Sequence, residues 1–138
     1  MHAEQRITAA VGAEGEPRYW PIKQYGVIGD CRTAALVAPN GSIDWLCLPH
    51  FDSPAILCKL LDADKGGSYR VAPREQATSS MTYLPETNIL ETTFQTAEGR
   101  LRLVDFMPIR KRARGGNVGR LAGALLSRAT RGAGTHLE

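Results

Sequence analysis

The tripeptide Pro39-Asn40-Gly41 constrains this chain more than any other feature, because it separates two apolar runs, Thr33 to Ala38 (TAALVA) and Ser42 to Leu48 (SIDWLCL). Proline presets the first central turn position, asparagine accepts the second, and glycine supplies a left-handed site. A type I turn followed by a bulge is therefore predicted, with the flanking runs paired as a hairpin. Upstream, Tyr25 to Ile28 reads as a short strand that ends at Gly29-Asp30. Downstream, Pro49 and Pro54 bracket HFDS, and a residue without an N–H stops a ladder, so the chain should leave the sheet there as a rigid corner.

The rest of the chain repeats the β theme. Ser68 to Ala72 alternates, Thr78 to Leu84 and Asn88 to Thr96 are rich in β-favouring residues, and Ala97-Glu98-Gly99 is a compact turn. Arg100 to Phe106 (RLRLVDF) answers that turn with Leu101, Leu103 and Asp105 on one face and Arg100, Arg102 and Val104 on the other. One exception is expected. Ser53-Pro54 has the form of an N-cap followed by proline, which predicts a two-turn helix over Ala55 to Leu61. Short strands with turns between them predict a mostly β fold, an antiparallel β-sandwich or a large part of one, with one short helix.

A chain of 138 residues fits one domain with a core of its own. Residues 1–18 lack periodicity and are expected to form a flexible leader, with the folded domain spanning 19–109. Residues 110–138 form a basic tail rich in Gly, Ala and Arg, expected to be poorly ordered; a weak helix over Val118 to Leu126 would be interrupted by Gly119 and Gly123. Residues 1–109 hold 10 Lys and Arg against 13 Asp and Glu, whereas residues 110–138 hold 7 against one, so the net charge of +3 belongs to the tail. That tail has no aromatic residue to stack on bases, which disfavours nucleic-acid recognition. No apolar run reaches 18 residues, so no membrane span is expected. No export signal is evident at the N-terminus, and with three cysteines in no pairing pattern the expected compartment is the cytoplasm.

Chemistry-bearing motifs are sparse. Cys31, Cys47 and Cys58 lack the close spacing of zinc ligands and read as core hydrophobes. His2, His50 and His136 are isolated from one another, and only His50 sits in a structured context, the corner. There is no nucleophile elbow, Walker loop or dinucleotide fingerprint. Asp30, Asp44, Asp52, Asp62 and Asp64 are dense enough to suggest a carboxylate pair for glycoside hydrolysis. Four of them have a plainer reading: Asp30 ends a strand, Asp44 points outward from the hairpin, and Asp62 and Asp64 close a helix. No catalytic residue, metal ligand or cofactor site is assigned. Trp45, Phe51 and Tyr69 offer flat faces of the kind sugars stack on, although Trp45 between Ile43 and Leu46 reads more simply as core.

Three segments taken together, GDCRTAALVAPNGSIDWLCLPHFDSP, LLDADKGGSYRVAP and YLPETNILETTFQTAEGRLRLVDFMP, resemble the N-terminal domain of bacterial glucoamylase-like and trehalase-like glycoside hydrolases, from about Pro21 to Arg120. The resemblance implies a β-sandwich that precedes an (α/α)6 barrel, where two glutamates hydrolyse α-glucosidic bonds with inversion. Neither glutamate has a counterpart here, so the chain alone is expected to be inactive. The expected partner is that barrel, with an α-glucoside or trehalose at the domain rim. Trp45, His50, Phe51 and Asp52 are the candidates for facing the barrel or substrate rim. Departures from the family pattern are His50 where it has arginine, Cys58 where it has an aromatic residue, and the segment AGALLSRATRGAGTHLE, which has the look of a shifted reading frame. A stand-alone carbohydrate-binding module is the alternative. A sandwich without its barrel leaves an apolar patch and an open edge, which invite self-association.

Overall fold

The computed structural model describes residues 6–12 and 15–109, together with the backbone of a strand at Leu126–Arg131. The fold is mostly β, built from ten strands in two antiparallel sheets. Sheet I has the order β1 (Ile7–Val11), β7 (Ala77–Tyr83), β8 (Leu90–Gln95), β9 (Arg100–Phe106) and β10 (Leu126–Arg131). Sheet II runs β2 (Gly26–Gly29), β3 (Ala34–Val37), β4 (Ser42–Cys47) and β5 (Ala55–Leu57), with β6 (Tyr69–Arg70) also paired to β4.

The predicted hairpin forms between β3 and β4. Gly41 adopts φ +77°, its N–H donates to Ala38 O at 3.0 Å, and Ala38 N–H donates to Ser42 O at 2.7 Å. A register shift follows: Val37 faces Ile43 while Leu36 faces Trp45. The bulge turns both Ile43 and Leu46 into the core, although they lie three residues apart. In β9 the alternation holds as expected, with Leu101, Leu103 and Asp105 buried.

Burial between the sheets is what holds them face to face. One cluster joins Ile28, Val37, Ile43 and Leu46 of sheet II to Met81 and Leu90 of sheet I. A second joins Phe94, Leu101 and Leu103 of sheet I to Tyr25, Ala38 and Trp20. Tyr83 stitches the layers at the edge: its hydroxyl donates to Val27 O and accepts from Val27 N–H, both at 2.8 Å.

Three expectations are corrected. Ala55 to Leu61 is not a helix. Its first three residues are β5, and Cys58 N–H and Lys59 N–H donate to Gly66 O and Gly67 O, so the backbone bonds outward to a neighbouring segment instead of along itself. Ser53, expected as the helix cap, instead accepts from His50 N–H at 3.1 Å. Among the described residues the helical element is a single 3-10 turn, Ile22–Gln24. The supposed leader is also part of the fold. Ile7–Val11 pairs with β7 over five positions, and Glu16 then accepts from Gly12 N–H, Asn40 Nδ2 and an Arg70 guanidinium nitrogen at 2.9, 2.7 and 2.8 Å. Finally, Leu126–Arg131 of the supposed tail lies along β9. Residues 1–5, 13–14, 110–125 and 132–138 lie outside the described residues, and with them the predicted helix interior after Val118, His2 and His136.

A side chain at position 41 would have to share space with the backbone. An added Cβ meets Val71 O at 2.2 Å, on top of the left-handed φ. Gly41→Ala is therefore expected to cost about 2–4 kcal/mol of folding stability, more than the 1–2 kcal/mol of left-handed strain alone. Urea denaturation of the two proteins measures it.

Candidate functional site

Two loops meet at the end of the β3–β4 hairpin opposite its turn. After β4 the chain leaves the sheet at Pro49, whose peptide bond with Leu48 is cis. Phe51 N–H donates to Arg32 O at 2.9 Å and Ser53 N–H to His50 O at 3.1 Å, so the corner is pinned to the β2–β3 loop. That loop is shaped by Asp30, whose Oδ1 accepts from Arg32 N–H at 2.9 Å and Thr33 N–H at 3.0 Å. Thr33 in turn donates its hydroxyl to Cys47 O across the sheet. The result is a platform that exposes Cys31, Arg32, His50, Phe51 and Asp52 on one rim, with Phe51 64% exposed.

Trp45 stands apart from that rim, on the outward face of sheet II. Register places it opposite Leu36, which lies opposite Val27. In β5, Leu57 pairs with inward-facing Leu46 and Ala55 with Cys47, so Ile56 is the extra residue of a second bulge. Val27 is 45% and Ile56 57% exposed, while Leu36 and Trp45 are half-buried. Val27, Leu36 and Trp45 therefore form an apolar row across β2, β3 and β4, and Leu36 also packs against the buried cluster that holds Trp20 and Tyr25. Trp45 belongs to this row rather than to the interior.

The carboxylates are dispersed. Asp44 was expected to point to solvent, yet it is 1% exposed. Tyr25 Oη donates to its Oδ2 at 2.8 Å and the Ser42 hydroxyl to its Oδ1, while Leu60 N–H takes its backbone carbonyl at 3.0 Å. Burial raises the Tyr25 phenol above its ordinary range, and the hydrogen bond to Asp44 and that group's negative charge add to the effect. Asp62 caps a turn by accepting from Asp64 and Lys65 N–H, and Asp64 pairs with Arg18 at the surface. No two of these acids face one another across a cleft, and among the described residues no group of three or more His, Cys, Asp and Glu is placed to hold a metal. A hollow of about 300 Å³ lies elsewhere, beside β1 and β7, and is bordered by Gln76, Thr78 and Gln95, with no acid among the described residues that line it. The cysteines divide: Cys47 is buried, Cys58 half-buried, and Cys31 exposed at φ +69°, so Cys31 is a turn residue and not core.

Residues 5–128 match the family described as trehalase-like, N-terminal. The chain belongs to this trehalase-like N-terminal family. It is 43% identical over 101 residues to a trehalase of Thermoplasma volcanium, covering 71% of this chain and 16% of that protein. Trehalase 1 of Sulfolobus acidocaldarius is 45% identical over 93 residues, 67% of this chain and 16% of that one. A trehalase of Mycolicibacterium smegmatis is 41% identical over 86 residues, 62% and 13% respectively. The chain thus spans about a sixth of the length of the curated relatives it matches. No solved structure matches it. Among the described residues of this trehalase-like domain, no helix is long and apolar enough to cross a membrane.

Sequence reasoning missed the roles of Tyr25, Leu36, Ile56 and Glu16. Leu36 carried the alternation of β3 as a signal, whereas Tyr25 and Ile56 carried none, because the burial of Asp44 and the bulge in β5 decide their surroundings. Glu16 had none, because its partners Asn40 and Arg70 are 24 and 54 residues away.

The Tyr25–Asp44 pair makes stability pH-dependent in one direction. Below the unfolded phenol pKa of about 10, both states keep the proton and the stabilisation is complete. Above it, the unfolded state loses the proton first, so stability falls as pH rises. Tyr25→Phe is expected to cost about 1.5–3 kcal/mol near neutrality and to flatten the decline above about pH 10. Denaturation midpoints on either side of that pH provide the check.

Proposed function

We propose that this chain is the non-catalytic N-terminal domain of a trehalase-type α-glucoside hydrolase, and that it packs on and shapes the rim of an (α/α)6 catalytic barrel lying outside this chain. The observation that carries the reading is the outward apolar row of sheet II, Val27, Leu36 and Trp45, with Ile56 exposed on β5 and a rim that presents Phe51. Apolar side chains contiguous on one sheet face are what an intramolecular interface leaves uncovered when its partner is absent.

In this arrangement Trp45 and Phe51 supply buried contact area, and His50 and Asp52 supply the polar margin that faces the substrate rim. His50 stands where the resemblance implies an arginine, and an imidazole has fewer donors for an acidic or carbonyl partner than a guanidinium fork has. The substrate, an α-glucoside such as trehalose, would then be held by the barrel, with this domain narrowing its entrance.

One observation favours a second reading, a stand-alone carbohydrate-binding module. The hollow beside β1 and β7 is bordered by two carboxamides and a hydroxyl, groups that both donate to and accept from sugar hydroxyls. Calorimetry with trehalose and soluble α-glucans separates the two: saturable binding by the chain alone favours the module, and no heat favours the packing domain. Nucleic-acid association through the basic tail falls on residues largely outside those described.

Two outcomes are expected of the packing reading. The purified chain releases no glucose from trehalose, maltose or starch in a coupled glucose assay, and measurable turnover by this chain alone would falsify the reading. Added to the separately produced remainder of the Thermoplasma volcanium trehalase, the chain associates, and Phe51→Asp or Ile56→Asp weakens that association at least tenfold, as loss of a buried anchor does. Both positions are exposed in the free domain, so the melting temperature of each variant should match the parent. Association unchanged by either substitution would place the interface elsewhere.

A further inference from the structure

The two sheets treat their edges differently. In sheet II the outer edge of β2 is closed by side chains: Tyr83 Oη occupies both the N–H and the carbonyl of Val27, and Asn88 Nδ2 donates to Gly29 O at 3.2 Å. At the other side of sheet II, β5 is three residues long and follows Pro54, and β6 is two residues long. In sheet I, β10 carries Arg128 and Arg131 in its sequence. Short strands, proline and edge charges are the devices by which proteins prevent strand-to-strand association.

β1 has none of them. Its five residues, Ile-Thr-Ala-Ala-Val, contain no charge and no proline, and it pairs with β7 in unbroken register from Ile7↔Met81 to Val11↔Ala77. Among the described residues, nothing pairs with its second edge. We propose that this edge is a self-association surface, on which a second copy of the chain adds its own β1 antiparallel, fusing two copies of sheet I across a two-fold axis.

The strand is self-complementary in that arrangement. With Ala9 opposite Ala9 of the second copy, Ile7 meets Val11 on the inward face and Thr8 meets Ala10 on the outward one. Ile7, Ala9 and Val11 already pack into the core of their own copy, so the inward row continues from one core to the next. Thr8 and Ala10 are exposed and small, and introduce no clash. Arg6 falls opposite Gly12, which avoids like charges face to face. A second copy is favoured over a segment of a larger enzyme because β1 belongs to sheet I, whereas the apolar row proposed for docking lies on sheet II. The inference does not rest on that docking. A five-residue strand pair buries less than a standard interface, so the dimer is a weak one.

Analytical ultracentrifugation of the whole chain, from micromolar to millimolar concentration, tests the idea together with hydrogen exchange. The expected result is an apparent mass that doubles across the series, with exchange at residues 7–11 slowed several-fold at the high end. Ala10→Lys should abolish both changes without altering the melting temperature; if that variant melts lower, Thr8→Lys, also exposed, replaces it. A mass of one chain throughout would overturn the proposal. So would a dimer that survives both lysine variants, since another surface would then be responsible. Slowed exchange in β1 that requires the catalytic remainder of a related trehalase would also overturn it, in favour of an intramolecular cover.

Discussion

A buried carboxylate has to be satisfied by hydrogen bonds, and in this domain that requirement falls on Asp44 and organises sheet II around it. Its side chain takes the Tyr25 and Ser42 hydroxyls, and its backbone carbonyl takes Leu60 N–H. One residue thus fixes the entry to β2, the exit from the hairpin turn, and the segment that follows β5. Removing any of these donors leaves an acceptor in a place water does not reach. The apolar clusters between the sheets supply the driving force for collapse, but they do not by themselves choose the path of the loops; hydrogen bonds to buried acceptors do.

The two outward faces of the sandwich differ in kind. On sheet I the outward positions carry Thr78, Thr93, Gln95, Arg100 and Arg102, and Arg102 Nε donates to Glu91 at 2.7 Å. This is a face made for water. On sheet II the outward positions carry Val27, Leu36 and Trp45, and Ile56 is exposed on β5. The proposed role as a packing domain follows from that asymmetry, since an antiparallel sheet solvated on one face alternates polar outward. Sheet II departs from the rule over three consecutive strands, β2, β3 and β4.

Much of the fold was legible in the sequence because it is written in local signals. Pro39-Asn40-Gly41 announces its turn within three residues, and β9 alternates over its full length. What was not legible depends on distant partners. Ala55 to Leu61 is an apolar run of ambiguous period, and its outcome is set by Gly66 and Gly67 accepting its N–H groups. β1 is made of small residues whose pattern means little until β7 lies beside it. Asp44 does alternate with Ile43, as period-2 reasoning requires, but Tyr25 and the segment at Leu60 close over it from outside the hairpin. The rim residues His50, Phe51 and Asp52 were legible as a corner from the two prolines. The apolar row was not, because one bulge at Leu36/Val37 reassigns the faces of β4.

The hydrogen bonds of Glu16 have a consequence for the order in which the protein is made. β1 precedes the other described strands, but its partner β7 ends at Tyr83, so pairing has to wait for roughly seventy further residues to leave the ribosome. Glu16 does not wait so long, since Asn40 is 24 residues away and Arg70 is 54. Once the hairpin has formed, the carboxylate can moor the N-terminal segment to Asn40 and hold β1 near the place where β7 will arrive. The loop left to close is then shorter and its entropic cost smaller. Glu16 can thus serve as a holding line during assembly, keeping an uncharged strand close to its own chain before a neighbouring one can reach it.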